Sequence, residues 1–284
     1  PRSRGLGDVY KRQILGFVNT LEEVLKKENP THIGVAFDPA GPTFRHEAFE
    51  QYKAQREETP EAIRLSVPII KEIIRAYRIP ILEVAGYEAD DVIGTLATEA
   101  GRQGIITYMM TPDKDYGQVF MYRPKHTGGF EVMGVDEVKA KFDIQSPAQV
   151  IDMLGLMGDS SDNIPGCPGV GEKTAQKLIA EFGSIENLLE HTDQLKGALK
   201  TKVETNREMI TFSKFLATIK IDVPIQLDMD SLVREQADED SLRQIFEELE
   251  FRTLIDRVLK KENAGNGITT VSYTHLTLPT KRIV

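Results

Sequence analysis

The amino-acid sequence predicts an α/β protein, with a helix-covered parallel sheet followed by a purely helical region. Three observations carry that reading. Between residues 14 and 110, short apolar runs of strand length alternate with longer segments of helical period, a β-α-β-α-β rhythm. From about residue 147 the strand-like runs stop, which sets a boundary near residue 155. Beyond it, a Gly- and Pro-rich hairpin leads straight into a helical segment.

The elements follow in order. "ILGFVNTLEEVLKKENP" has apolar residues at helical spacing and stops at Pro30. "HIGVAFD" is a short strand ending on Asp38. "TPEAIRLSVPIIKEIIRAYRIP" is an amphipathic helix, with a bend expected at Pro68. "ILEVA" is a second strand, "ADDVIGTLATEAGRQG" a helix and "IITYMM" a third strand. The ends read differently. "PRSRGLGDVYKRQ" shows no hydrophobic period, and "VSYTHLTLPTKRIV" is detached behind the linker "ENAGNG". Both resemble translated sequencing-adaptor read-through, with disordered natural tails as the alternative. The expected division is a non-native tail over 1–13, an α/β core over 14–155, a helical region over 156–262, and a linker and tail over 263–284.

With 284 residues, 40% hydrophobic and 28% charged, the composition is that of a globular chain with a sizeable core. No apolar run has the length of a membrane span. Cys167 is the single cysteine, which excludes an internal disulfide and suits a reducing compartment. Of the net charge of −9, residues 228–250 hold nine acids against two arginines, so the rest of the chain is near neutral. Charge therefore argues neither for nor against a nucleic-acid partner.

Carboxylates mark the strand ends. Asp38 closes the first strand, Glu88, Asp90 and Asp91 follow the second, and Asp113 and Asp115 follow the third. Parallel strands share one carboxyl edge, where ligands bind, so these residues should converge. Asp159 and Asp162 open the helical part and can fold over the same edge. One or two acids in a first helical turn usually only cap it, and "ADD" alone would be read that way. Four such groups are better explained by a divalent-metal site. Crowded carboxylates need cations to stay ionised, and an all-oxygen set without His or Cys suits two Mg²⁺ or Mn²⁺ ions.

Two further stretches point to nucleic acid. In "NIPGCPGVGEKTAQKL", Gly166, Gly169 and Gly171 allow close backbone approach, and a helix begins at once. Lys173, Thr174 and Lys177 lie in that helix, the two lysines at i and i+4. Such a hairpin reads phosphate rather than base. In "FRHEAFEQYKAQREETP", Tyr52, Lys53 and Arg56 offer a stacking ring and two cations. Five glutamates surround them, and by composition alone the stretch reads as a solvated helix face.

Together "VAFDPAGPTFRHEAFEQYKAQR", "GYEADDVIGTLA", "TPDKDYGQ" and "MLGLMGDSSDNIPGCPGVGEKTAQKL" resemble the bacterial flap-endonuclease and 5′-3′ exonuclease family, the 5′-nuclease domain of bacterial DNA polymerase I. The resemblance runs from about Ile14 to Lys261. It implies a Rossmann-like core of the PIN/flap-endonuclease type and a helix-hairpin-helix DNA-binding region. The eight acids named above would be metal-site residues, Tyr52, Lys53 and Arg56 would belong to a helical arch, and the hairpin would hold a potassium ion. The implied partner is branched or nicked duplex DNA with a 5′ flap, cut during primer removal and repair. The implied setting is a monomer in the bacterial cytoplasm at the nucleoid, fused to a polymerase portion and with no membrane association.

Such proteins open with a strand ending in a metal-ligand Asp, and nothing here supplies it. The chain is thus expected to be a fragment lacking a central strand, marginally stable and a poor nuclease that still binds duplex. Three competing readings are a duplex-binding module without catalysis, a phosphatase built on the "DKD" pair, and a PIN-type ribonuclease.

Overall fold

The computed structural model describes residues 6–110, 120–124, 130–142, 144–259 and 271–275. Helix α1 (Leu6–Lys27) leads into strand β1 (His32–Ala36), short helix α2 (Phe44–Ala48) and helix α3 (Glu61–Ala76). Strand β2 (Ile81–Leu82), helix α4 (Ala89–Arg102) and strand β3 (Thr107–Met110) complete the expected alternation. Strands β4 (Phe120–Pro124) and β5 (Phe130–Met133) form an antiparallel hairpin that the sequence reading did not anticipate. Helices α5 (Val135–Phe142), α6 (Gln149–Met157), α7 (Glu172–Phe182), α8 (Ile185–Glu190), α9 (Gly197–Thr205) and α10 (Arg207–Ala217) follow. The described chain then closes with α11 (Met229–Leu232), α12 (Glu239–Glu248), α13 (Arg252–Leu259) and strand β6 (Val271–His275).

The sheet order is β2-β1-β6-β3-β4-β5, with every pairing parallel except β4–β5. Its two faces bury different clusters. Ile33 and Val35 of β1 pack with Ile14, Val18 and Leu21 of α1 and Ile70, Ile73 and Ile74 of α3. Ala36 and Met109 join Val92, Ile93 and Leu96 of α4 on the other side. A third cluster, including Met153, Leu178, Ile179 and Ile210, holds the helical region together. Pro68 lies inside α3, which continues through it as one helix.

Several expectations about the chain's organisation need correction. Residues 6–13 are not without structure: α1 starts at Leu6, Tyr10 packs against the Ile14 cluster, and Lys11 pairs with Glu250 at 2.7 Å. Tyr10, Ile14 and Val18 lie on one i, i+4 stripe, so the helical face runs unbroken through residue 13. The 271–275 segment is not detached either. It pairs in parallel with β1 (His32↔Val271 to Ala36↔His275) and with β3 (Thr107↔Val271 to Met110↔Thr274). The central position expected to be empty is therefore taken by β6. Residue 155 falls within α6, whose residues serve two clusters: Val150 and Leu154 one, Met153 and Leu156 the other. Finally, Leu242, Phe246 and Leu254 of α12 and α13 pack with α1 and α3, so the acidic end of the 156–262 segment rests on the α/β core.

Candidate active site

The carboxyl ends of β1, β2 and β3 lie on one edge, as their parallel pairing requires. Asp38 sits two residues past β1, and its Oδ1 accepts the Ala89 N–H at 2.8 Å. That bond places Asp38 against the first turn of α4, where donors without intrahelical partners favour an acid. Glu88 is the N-cap of that helix, and Asp90 and Asp91 stand in its first turn.

Asp91 is turned into the protein interior. It is fully buried, and its carboxylate takes both arms of the Arg45 guanidinium at 2.7 and 2.8 Å. Its Oδ1 also accepts Lys220 N–H at 2.8 Å, and its Oδ2 accepts Glu88 N–H at 3.0 Å. Four donors fill the acceptor positions of one carboxylate. The carboxylate expected to face a metal ion is thus engaged within the protein, by Arg45, Lys220 and the Glu88 backbone. Consecutive helical residues point about 100° apart, so Asp90 and Asp91 cannot share one direction.

Arg45 was not singled out from sequence. Only 2% exposed, it also donates to the carbonyls of Leu216 (2.9 Å) and Thr218 (2.7 Å). Burial alone would lower its pKa, but the Asp91 hydrogen bonds and charge, with Glu88, outweigh this and hold it raised. Nothing in the local sequence pattern marks it, because the partners that bury it, Asp91, Leu216 and Thr218, lie far along the chain.

Glu88 and Asp162 face one another across Tyr52, Lys53 and Arg56. Lys53 Nζ donates to Glu88 at 2.5 Å and stands 3.7 Å from Asp162. The Tyr52 hydroxyl reaches Glu88 at 3.1 Å and Asp162 at 3.4 Å, and Arg56 donates to Asp162 at 2.5 Å. Two of these three residues are therefore not on a solvated face: Tyr52 is buried and Lys53 largely so, while Arg56 stays exposed. Nor are the three helical, because residues 50–55 are turns and Arg56 a bend, with Lys53 at φ +56°. Burial, then Glu88, pushes the Tyr52 hydroxyl well above the usual tyrosine range. Burial opposes the ionised form of Asp162, yet Lys53 and Arg56 outweigh it and hold its pKa below normal.

Asp159 lies on the adjoining loop, where its Oδ1 accepts the backbone N–H and the hydroxyl of Ser161 at 2.7 and 2.5 Å. Asp113 and Asp115 lie outside the described residues. Among the described residues, no three His, Cys, Asp or Glu side chains are arranged to hold a metal ion. The donor chemistry, oxygen throughout, is nevertheless that of a hard divalent cation. Met110, the last residue of β3, ends on the same edge of the sheet as β1 and β2.

The hairpin is built as its glycines suggest. A Cβ on Gly166 (φ +64°) would meet Gly158 N at 2.3 Å, and Gly169 adopts φ +74°. Gly171 is the N-cap of α7, and Lys173, Thr174 and Lys177 lie along its first turns with both lysines exposed. Lys202 on α9 was missed. Its Nζ donates to the Gly169 carbonyl at 3.3 Å, which sets a third lysine beside the hairpin. Nothing in the local pattern of α9 marks it; only the packing of α9 brings it there.

A mostly parallel sheet with acids at its carboxyl edge, joined to a helical hairpin region, defines a two-part architecture of resolvase-like domain and small helical domain. The family models agree: residues 6–143 match the 5′-3′ exonuclease N-terminal resolvase-like domain, and residues 145–240 the 5′-3′ exonuclease C-terminal SAM fold. The chain belongs to the 5′-3′ exonuclease family. It is 40% identical over 259 residues to DNA polymerase I of Bacillus caldotenax and 42% identical over 257 residues to that of Bacillus subtilis. In each case 88% of this chain aligns, and it spans 29% of the relative's length. Among solved structures, T5 5′-exonuclease with bound divalent metal ions (zinc) superposes with a TM-score of 0.62 at 19% identity, covering 84% of this chain and 90% of that one. The catalytic core of Rad2 in complex with DNA substrate gives 0.60 at 17% identity, covering 89% and 87%. At these identities the likeness concerns the fold.

Proposed function

We propose that this chain is a divalent-metal-dependent 5′-3′ exonuclease and flap endonuclease module, hydrolysing phosphodiesters next to a 5′ flap or nick in duplex DNA. The observation that carries the reading is the cluster of buried Tyr52, half-buried Lys53 and exposed Arg56 on Glu88 and Asp162, beside the carboxyl edge of the sheet. Two cations held there can pair with a phosphate, and Tyr52 offers a ring for a displaced base. Asp38, Glu88, Asp90, Asp113, Asp115, Asp159 and Asp162 would hold two Mg²⁺ or Mn²⁺ ions. Such ions polarise the scissile phosphate, activate water and neutralise the leaving oxygen. Gly166, Gly169, Gly171, Lys173, Thr174 and Lys177 would grip the duplex through its phosphates, with a potassium ion on the hairpin carbonyls. Relatives named as DNA polymerase I, of which this chain spans less than a third, support continuation into a polymerase portion and a role in bacterial primer removal and repair at the nucleoid. We place the module in the cytoplasm as a monomer.

The test is cleavage of a labelled 5′-flap duplex with Mg²⁺ or Mn²⁺, with EDTA as control. Lys53→Ala should lower turnover by about 10²–10³-fold, the usual loss when one charge-stabilising donor is removed. A duplex-binding module without catalysis is the second reading, favoured by the ion pairs that already engage Glu88 with Lys53 and Asp162 with Arg56. Flaps bound but left intact in either metal would establish it.

A further inference from the structure

The metal-site reading leaves Arg45 and Asp91 unused, and both are buried where three chain segments meet. Arg45 comes from α2 and Asp91 from the first turn of α4. The segment leaving α10 contributes the carbonyls of Leu216 and Thr218 and the N–H of Lys220. The same segment runs on along α4: the Thr95 hydroxyl accepts Val223 N–H at 3.2 Å, and a Cβ on Gly94 would meet Ile219 at 2.8 Å. Phe44 and Phe49 press edge-on against Phe215 and Phe212 of α10, with centroids 5.9 and 5.6 Å apart. The contact continues outward to Glu88, whose backbone N–H donates to Asp91 and whose carboxylate takes Arg45 Nη1 at 3.3 Å.

We infer that Arg45 and Asp91 form a positioning clamp through which the end of α10 fixes Glu88, and with it the first turn of α4, at the carboxyl edge. The inference rests on the metal-dependent reading above and assigns neither residue to metal or substrate. The chain of bonds is Leu216 and Thr218 to Arg45, Arg45 to Asp91, and Asp91 to Glu88. A planar fork held at both ends by two acceptors fixes direction as well as distance, which a lysine cannot reproduce. The helical region that carries the hairpin is thereby tied to the turn that carries Glu88 and Asp90.

The experiment compares wild type, Arg45→Lys, Asp91→Asn, the neutral pair Arg45→Gln/Asp91→Asn, and Lys220→Pro, which deletes one N–H donor to Asp91. Mn²⁺ binding by calorimetry, flap affinity in EDTA, melting temperature and single-turnover cleavage are measured on each. Arg45→Lys and Asp91→Asn should both weaken Mn²⁺ binding and slow cleavage on the order of 10²-fold, the cost of misplacing a site by about 1 Å, with flap affinity unchanged. The neutral pair should recover Mn²⁺ binding relative to Asp91→Asn, because no buried guanidinium is left unpaired. Lys220→Pro should shift binding and cleavage in the same direction by less, and it serves where Arg45→Lys does not fold. Mn²⁺ binding lost in Asp91→Asn, kept in Arg45→Lys and not recovered in the pair would make Asp91 a ligand and overturn the clamp. Lowered melting temperatures with Mn²⁺ binding and cleavage intact would reduce it to a stability element and overturn it equally. A wild type that binds no Mn²⁺ and cuts no flap would overturn the metal reading and the clamp with it.

Discussion

Asp90 and Asp91 are neighbours of one residue type, yet Asp91 is fully buried and Asp90 only half-buried. In the sequence they were equivalent acids at a helix start, and nothing in "EADD" tells which one meets a guanidinium. The difference comes from Arg45, 46 residues away, a long-range contact that local pattern cannot carry. Removing one partner of such a buried pair strands the other's charge, at a cost of about 3–5 kcal/mol. Urea unfolding of Asp91→Asn should show a loss of that order, and a variant within about 0.5 kcal/mol of wild type, the range of an inert surface change, would contradict the burial. The glycines were more legible. Gly166 was chosen for close backbone approach, and its missing Cβ does face Gly158 N. Gly166→Ala should cost about 1–3 kcal/mol through positive φ and overlap, and it should weaken duplex binding. Unchanged urea midpoints and duplex affinity would contradict the tight hairpin.

At the scale of elements, the strongly periodic segments were read well because amphipathic spacing records which face is buried. The main strands and helices of the α/β alternation appear in the expected order. What failed were elements whose identity depends on partners. The Tyr52–Arg56 stretch carries helical charge spacing, yet its contacts with Glu88 and Asp162 hold it in turns that bury only the Tyr52 ring fully. The joint between α6, α8 and α10 has the same character. Lys214 donates to Asp152 at 2.6 Å and to Glu186 at 2.8 Å. Burial alone would lower the Lys214 pKa, but its two acids hold it raised, while the Lys214 hydrogen bond leads the lowering of Glu186. The folded state thus binds the lysine proton more tightly than the unfolded chain and the Glu186 proton less tightly. The Lys214 contribution is complete below the ordinary lysine value, near 10.4, and is lost as pH rises through its higher folded value. The Glu186 contribution is complete above the ordinary glutamate value, near 4.3, and is lost as pH falls through its lower one. Lys214→Met should therefore destabilise by an amount that is level across neutral pH and shrinks on both limbs. About 1–3 kcal/mol is expected on the plateau, where Asp152 is left without its lysine. A deficit that persists undiminished at both extremes would show that the loss is packing rather than charge.

At the scale of the molecule, the least legible feature is the sheet's middle. The sequence predicts a chain end outside the fold and a sheet lacking a central strand. The structure fills that central position with β6, from the far end of the chain, paired in parallel on both sides. "VSYTH" is a short run whose strand character depends on having two neighbours, and no local signal announces partners more than 150 residues earlier. The placement has a thermodynamic consequence. Without β6, the facing backbone groups of β1 and β3 lose their partners inside a sheet whose two faces are both buried. Unmet buried groups cost about 1–3 kcal/mol each, against a total stability of about 5–15 kcal/mol. A chain ending at residue 262 should accordingly unfold at a much lower urea concentration than the full chain, or expose enough apolar surface to bind a hydrophobic dye at neutral pH. Duplex binding should outlast the loss, because the cluster behind the hairpin is built from residues of the helical region, among them Met153, Cys167, Leu178 and Ile210. If the shortened chain keeps the full chain's urea midpoint, β1 and β3 close on each other without help, and β6 is a dispensable guest in the sheet rather than its central strand.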